Sequence, residues 1–367
     1  MSALFQPITI RNLTLKNRIA MAPMTRNFSA DGVPGADVAE YYRKRAEGEV
    51  GLIITEGTGV DRPESRNEPN IPRFHGDDAL SGWRNVVEAV HGEGGAIAPQ
   101  LWHTGLVKEQ FPDRPRPGTA EGPSGLYKED KPYGRAMSEE DVADAVAAFV
   151  RASKDAVELG FDSIEFHGAH GYLIDQFFWG VTNVREDNWG GDTLAERTRF
   201  AAEIIRQTRE AVGDIPLIIR ISQWNQQDYT RRLATTPDAL EAWVTPLVDA
   251  GADVLHCSQR RFWEPEFPEL DGESGLNFAG WVKKLGGVPT ITVGSVGLDA
   301  DFFGAFTGQE TQSTDLRDLE ERLDRGEFDM VAVGRALISN PHWAQHIRKG
   351  EWDRLEGYNT DHLKQLV

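Results

Sequence analysis

The sequence predicts a single (β/α)8 barrel of the TIM type over residues 1–367, with long loops at its C-terminal face. Three observations carry that prediction. Eight short apolar runs rich in Val, Ile and Leu read as strands buried on both faces. Amphipathic stretches with helix start and stop signals alternate with them. Two long Pro/Gly-rich insertions follow strand ends, where lids and binding loops are usually built.

The runs are Ile19–Ala22, Leu52–Thr55, Ile97–Leu101, Ser163–Phe166, Leu217–Ile221, Val254–Cys257, Ile291–Gly294 and Met330–Gly334. Between them, Asp77 opens a helical stretch that ends near Val90. Ser138-Glu139-Glu140-Asp141 reads as a capping box before a long helix to Leu159, which Gly160 stops. Thr236-Pro237 opens another helix with proline in its first turn. A helix is expected near Asp315–Arg325, and Asn340-Pro341 opens the last long one. The insertions are His103–Met137 and Gln259–Ser274. A 367-residue chain is long for one domain, but α/β barrels routinely run that far as one unit.

Composition is ordinary for a globular chain, 40% hydrophobic and 26% charged. A net charge of −19 argues against nucleic acid and anionic membranes as partners. The lone cysteine, Cys257, allows no intrachain disulfide, cysteine-ligated cluster or cysteine-based zinc knuckle. Met1–Pro7 has neither the basic nor the apolar segment of a secretory signal, and no apolar stretch is long enough to span a bilayer. The expectation is a cytoplasmic protein.

Chemistry gathers at strand ends. His167, His170 and Tyr172 follow the fourth strand together. Imidazole N–H groups can donate to a carbonyl oxygen and a tyrosine can give up a proton, a set suited to charge building on oxygen while a carbon is protonated. Taken alone, two histidines at a turn are ordinarily a structural pair. A metal site would need further ligands on other strands, and Met21-Ala22-Pro23-Met24 offers none, so no metal is expected. The seventh strand ends in Gly294-Ser295 and the eighth in Gly334-Arg335, at the usual phosphate site of barrel enzymes; ordinary left-handed turns are the plain alternative. Arg220 lies in an apolar strand and needs either a bound anion or a buried salt bridge. Gln100 can donate and accept at the edge of a heterocycle. Trp102 lines either the pocket or the packing at the barrel top.

In this order the pieces resemble the Old Yellow Enzyme family of flavin oxidoreductases. The resemblance runs from Leu4-Phe5-Gln6-Pro7 through Asn17-Arg18-Ile19-Ala20-Met21-Ala22-Pro23-Met24-Thr25 and Thr55-Glu56-Gly57. It continues through His167-Gly168-Ala169-His170-Gly171-Tyr172-Leu173 and Trp189-Gly190-Gly191 to Val333-Gly334-Arg335. The resemblance implies a single FMN-binding barrel that takes hydride from NADH or NADPH and reduces the C=C bond of a small α,β-unsaturated carbonyl or nitro compound. It implies a monomer or homodimer. Carried over by position, Ala22, Pro23 and Met24 would lie along the flavin and Thr25 at its O4 edge. Gly57 and Gln100 would bind the pyrimidine edge, with Arg220 near N1 and O2. Gly294, Ser295, Gly334 and Arg335 would hold the phosphate. His167 and His170 would grip the substrate oxygen beside Trp102, and Tyr172 would protonate the α-carbon.

The chain departs from the family pattern in three places. Ser295 stands where many relatives have a second glycine, and an insert, Leu298–Ser313, follows it. Thr25 stands where one branch has a redox-tuning cysteine. Some relatives have asparagine in place of His170. Two rival classes remain: a hydroxy-acid-oxidase-like flavin barrel, and a flavin-free aldolase or isomerase using the same phosphate loops. The first would need arginines for a carboxylate, and the second a lysine or carboxylate pair inside the barrel.

Overall fold

Eight parallel strands pair in sequence order and close on themselves, the eighth pairing with the first. They are β1 (Ile19–Met21), β2 (Leu52–Gly59), β3 (Ala96–Trp102), β4 (Ile164–His170), β5 (Leu217–Asn225), β6 (Val254–Ser258), β7 (Thr290–Val293) and β8 (Met330–Val333). The structure, a computed structural model, describes residues 2–109, 114–225, 229, 231–301 and 311–367. All eight sequence-derived runs fall on these strands. Three strands run four residues past the C-terminal ends of their runs. β2 reaches Gly59, β4 reaches His170 and β5 reaches Asn225. Glycines and polar residues had interrupted the apolar pattern there, and those residues belong to the strands' C-terminal ends. The two histidines therefore sit within β4 rather than beyond it. Register shifts between Ile54 and Gly57 and between Gly168 and His170 bend β2 and β4 at this end.

The outer helices are α1 (Ala36–Glu47), α2 (Asp77–Gly92), α3 (Glu139–Leu159), α4 (Arg199–Val212), α5 (Pro237–Asp249), α6 (Phe278–Gly286), α7 (Arg317–Asp324) and α8 (Trp343–Lys349). The Ser138 hydroxyl accepts the Asp141 N–H while the Asp141 side chain accepts the Ser138 N–H, so the capping box forms. Gly160 ends α3 with φ +90°, and Thr236 caps α5 ahead of Pro237. Asn340-Pro341 does not open α8, which begins at Trp343. Asn340 instead follows a five-residue helix, Arg335–Ser339, and donates to the carbonyls of Ala336 and Glu356.

Strand alternation divides the core in two. Outward residues pack under the helices, as Phe166, Ile219 and Val331 do. Inward residues at the strand starts, among them Ala20, Leu52, Ile54, Ala98, Ile218, Val254 and Met330, form a separate inner cluster. A hairpin, Ile8–Ile10 with Leu13–Leu15, adds Ile10 and Leu15 to it. Arg11 at its tip bonds Asp214 and Asp253, which lie just before β5 and β6. The hairpin therefore closes the N-terminal mouth. Among the described residues no helix is long and apolar enough to cross a membrane.

The insertion after β3 is pinned by a buried ionic cluster. The His103 ring lies 3.0 Å from Glu121, whose carboxylate also accepts from Arg62 at 2.9 Å and from Arg135. Arg135 in turn reaches Asp141 in the first turn of α3. Burial pushes the Glu121 carboxyl up, but the His103 hydrogen bond and the Arg62 charge outweigh it and hold the pKa below its ordinary value. Of the other insertions, Gln259–Ser274 carries a short turn of helix at Pro268–Asp271. Within Leu298–Ser313, Leu298 bridges Ser313, and residues 302–310 lie outside the described residues.

Breaking that cluster leaves two cations without their shared anion. Glu121→Ala should cost about 3–5 kcal/mol, the range for removing one partner of a buried ion pair, read as a lowered urea midpoint. Because the Glu121 pKa is depressed by folding, its contribution is full above the unfolded value of about 4.3 and is lost as pH falls through the folded one. Equal midpoints for Glu121→Ala and wild type at pH 7 would remove the cluster as an anchor.

Candidate active site

The inward positions change character toward the strands' C-terminal ends. Above the apolar cluster stand Gln100 on β3, Glu165 and His167 on β4, Arg220 on β5, and His256 and Ser258 on β6, all buried. Register places Arg220 between His167 and His256. The Glu165 carboxylate receives Gln100 Nε2 at 2.8 Å on one oxygen and faces His256 Nδ1 at 2.6 Å on the other. That fixes the Gln100 amide, whose register partner on β2 is Gly57.

Arg220 spends two donors on the Pro23 carbonyl at 3.4 Å and the Ser258 hydroxyl at 3.3 Å. Its Nε is buried with no hydrogen-bond partner. Burial lowers its pKa to about 10, with the Glu165 charge acting against that fall, so the guanidinium stays cationic at neutral pH. A buried cation with an unsatisfied donor fits an anionic or acceptor-rich group in the space above it.

His167 and His170 face each other edge to face, with centroids 5.2 Å apart. His167 Nδ1 is buried without a partner. His170 adopts φ +64°, unusual outside glycine, and Gly171 follows at φ +79°. Burial first and Arg220 second push both imidazole pKa values well below normal, so both rings are neutral donors at pH 7. Tyr172 stands half-buried at the start of the helix Leu173–Phe178, with its ring 4.8 Å from that of His167. Trp102 stacks on His167 at 5.9 Å and meets Tyr172 edge-on at 4.6 Å. Trp102 therefore packs directly on the two predicted site residues. A Cβ on Gly57 would run into the Trp102 ring, so β2 needs a glycine there.

The predicted phosphate residues also converge. Arg335 Nη2 lies 3.5 Å from Ser295 Oγ, and Met24 lies beside Gly334. Gly294 has φ +157°, and a Cβ on it would come within 2.6 Å of the Gln259 carbonyl. Ser295 holds φ +52°, the left-handed conformation for which glycine is better suited. Here Arg335 donates to the carbonyls of Ala300 and Asp301, at the start of the insert. Ala22 is tied to β8 by its N–H to the Val333 carbonyl, and Thr25 is exposed.

Sequence reasoning missed six residues around the site. Glu165, His256 and Ser258 share the inward phase of His167 and Arg220, and strand alternation alone could have found them. Trp224 stacks on His170 at 5.1 Å, and Tyr229 packs against Trp224 at 4.8 Å; both follow the end of the predicted fifth run, beyond where it was read. Glu56 is buried behind the Thr25 loop and accepts the N–H groups of Arg26 and Asn27, each at 2.9 Å. Burial raises its pKa to about 7.

Among the described residues no cluster of three or more His, Cys, Asp or Glu side chains could hold a metal ion. A groove of about 960 Å3 lies elsewhere, lined by Val184, Arg185, Asp187, Arg197 and Arg199. Arg185 and Arg197 there are spent on Asp187 and on loop carbonyls, so the groove reads as loop scaffolding.

Residues 3–354 match the model of the NADH:flavin oxidoreductase / NADH oxidase family. The NADPH dehydrogenase of Geobacillus thermodenitrificans is 34% identical over 345 residues, 93% of this chain and 92% of that protein. A probable inactive reductase, easA of Epichloe festucae var. lolii, is 32% identical over 365 residues, 98% of this chain and 91% of that protein. Among solved structures, the old yellow enzyme homologue from Zymomonas mobilis superposes with a TM-score of 0.80 at 26% identity, over 98% of this chain and 96% of that one. The chain belongs to the NADH:flavin oxidoreductase / NADH oxidase family and is of the Old Yellow Enzyme type.

Proposed function

We propose that this chain is an FMN-dependent ene-reductase that uses NADH or NADPH to reduce the C=C bond of small α,β-unsaturated carbonyl or nitro compounds. The observation that carries the reading is the pair of neutral imidazoles, His167 and His170, set between Arg220 and Tyr172 and walled by Trp102 and Trp224. A relative described as probably inactive shows that family membership alone does not guarantee turnover, so the argument rests on this chain's own side chains.

The residues present fit FMN. The unsatisfied Arg220 guanidinium suits the N1 and O2 edge, the fixed Gln100 amide and side-chain-free Gly57 suit the pyrimidine edge, and Thr25 suits O4. Ala22, Pro23 and Met24 would line its face. Gly294, Ser295, Gly334 and Arg335 would take the phosphate. When bound, FMN supplies hydride taken from the nicotinamide. The chain from 1 to 367 would then act as one FMN-binding barrel.

His167 and His170 would donate to the substrate's carbonyl or nitro oxygen. Two fixed donors in a water-poor pocket polarise that oxygen and make the β-carbon electrophilic, each worth about 2–4 kcal/mol by analogy with oxyanion holes. Neutral rings suit the task, since each keeps one N–H and brings no charge beside Arg220. Trp102 and Trp224 would hold a flat substrate and exclude water. Tyr172 would deliver a proton to the α-carbon. Glu165 is tied on both oxygens by Gln100 and His256, which removes the inward carboxylate a flavin-free aldolase or isomerase would use as a base.

The reading is tested first by spectrum. The purified protein should show a flavin absorption that bleaches anaerobically with NADPH or NADH and returns on adding cyclohexenone. A protein still colourless after incubation with FMN would sink it. Tyr172→Phe should slow enone reduction by about 10²–10⁴-fold, the usual range for a lost general acid, and leave the bleaching rate near wild type. Equal loss in both half-reactions would take the proton-donor role from Tyr172. His167→Ala should weaken phenol binding by about 30-fold or more, the lower end of a lost oxyanion donor; unchanged affinity in a spectral titration would exclude His167 from the oxygen clamp.

A further inference from the structure

Ser258, at the end of β6, lies between the two charges and donors that matter most. Its hydroxyl is 3.3 Å from Arg220 Nη2 and 2.8 Å from His170 Nε2, and the residue is buried. Those are its only side-chain hydrogen bonds among the described residues.

The donor inventory settles the direction of each bond. A guanidinium has no lone pair to offer, so Arg220 donates to Ser258 Oγ. A serine hydroxyl has one proton, and a buried hydroxyl proton needs an acceptor. The acceptor within reach is His170 Nε2. A neutral imidazole that accepts at Nε2 carries its proton at Nδ1. The ring is held in place for this by stacking on Trp224 and by the left-handed backbone at His170. The His170 N–H also lies 3.3 Å from the Ser222 hydroxyl, which fixes the main chain beneath the ring.

We propose that Ser258 is a positioning residue that fixes His170 as the Nδ1–H tautomer and couples the charge of Arg220 to the substrate oxygen. The proposal rests on the reading of His170 as an oxygen donor given above. All the bonds in the chain run the same way, from Arg220 to Ser258, from Ser258 to His170, and from His170 Nδ1–H to the ligand. Aligned hydrogen bonds polarise one another, so each strengthens the next. The guanidinium that would steady the reduced cofactor thereby also makes His170 a stronger donor. In the opposite tautomer Nε2–H would point at Ser258, leaving a bare lone pair facing the substrate oxygen and repelling it.

The tautomer is read directly from the nitrogen-15 shifts of histidine-labelled protein, with His170 assigned by the resonances lost in His170→Asn. Wild type should show an unprotonated Nε2 and a protonated Nδ1. Ser258→Ala should shift the ring toward a mixture of tautomers and weaken phenol binding about ten-fold, the effect of one lost hydrogen bond. Ser258→Thr keeps the hydroxyl and should restore both readouts. A protonated Nε2 in wild type overturns the proposal, as does Ser258→Ala with wild-type shifts and affinity. Failure of a folded Ser258→Thr to restore either readout assigns the effect to packing and overturns it too. If Ser258→Ala does not fold, the wild-type shifts decide alone. Protein that takes up no FMN and binds no phenol defeats the ene-reductase reading, whereas the shifts, recorded without ligand, still decide the tautomer.

Discussion

The structure turns on one buried cation. Arg220 projects inward from β5 where a barrel strand would ordinarily place an aliphatic side chain, and removing a guanidinium from water costs several kcal/mol unless partners offset it. The offsets come from different strands: the Pro23 carbonyl after β1, the Ser258 hydroxyl on β6 and the charge of Glu165 on β4. Those partners stay in reach only if the barrel is closed at the observed register. The cation therefore ties site assembly to closure of the sheet. It also adds to burial in pushing the pKa values of His167 and His170 below their ordinary range.

The barrel separates its tasks along the strand axis. Small and branched residues fill the lower interior, and the hairpin carrying Ile10 and Leu15 seals that end. That end is packed by apolar side chains. The upper interior carries amide, carboxylate, imidazole and guanidinium groups, each bonded to the next but with a few atoms left open. His167 Nδ1, Arg220 Nε and His256 Nε2 are buried without partners. Unpartnered buried polar atoms are costly in a stability-only design, and these three lie on the inward faces of adjacent strands, where a ligand could satisfy them.

The barrel was legible because β-rich apolar runs repeat eight times with helix signals between several of them, and caps are local chemistry: Ser138, Gly160 and Thr236 act through residues three or four positions away. Strand ends were less legible because a functional strand end is polar, so β2, β4 and β5 were each read short. Asn340-Pro341 misled for a related reason. Asn340 ends one helix by bonding Ala336 and Glu356, a long-range contact invisible in a start-signal reading. The proposed site residues that carry a motif came from the resemblance. For Glu165, His256 and Ser258 strand alternation could give the inward phase but not the partners, which appear only once the neighbouring strands are in register.

Steric constraint completes what electrostatics begins. Gly57 has no side chain because the Trp102 ring occupies the space a Cβ would need, and Trp102 can lie there because β2 shifts register just before Gly57. The ring so placed stacks on His167 and meets Tyr172 edge-on, which fixes the spacing between the two residues proposed as oxygen donor and proton donor. On the opposite side Trp224 does the same for His170. The two indoles thus clamp the imidazole pair from outside while Arg220 and Ser258 hold it from below. On the proposed reading, a substrate entering between them would meet donors held in place. A substitution at Gly57 would therefore reach the proposed oxygen clamp through Trp102 and His167.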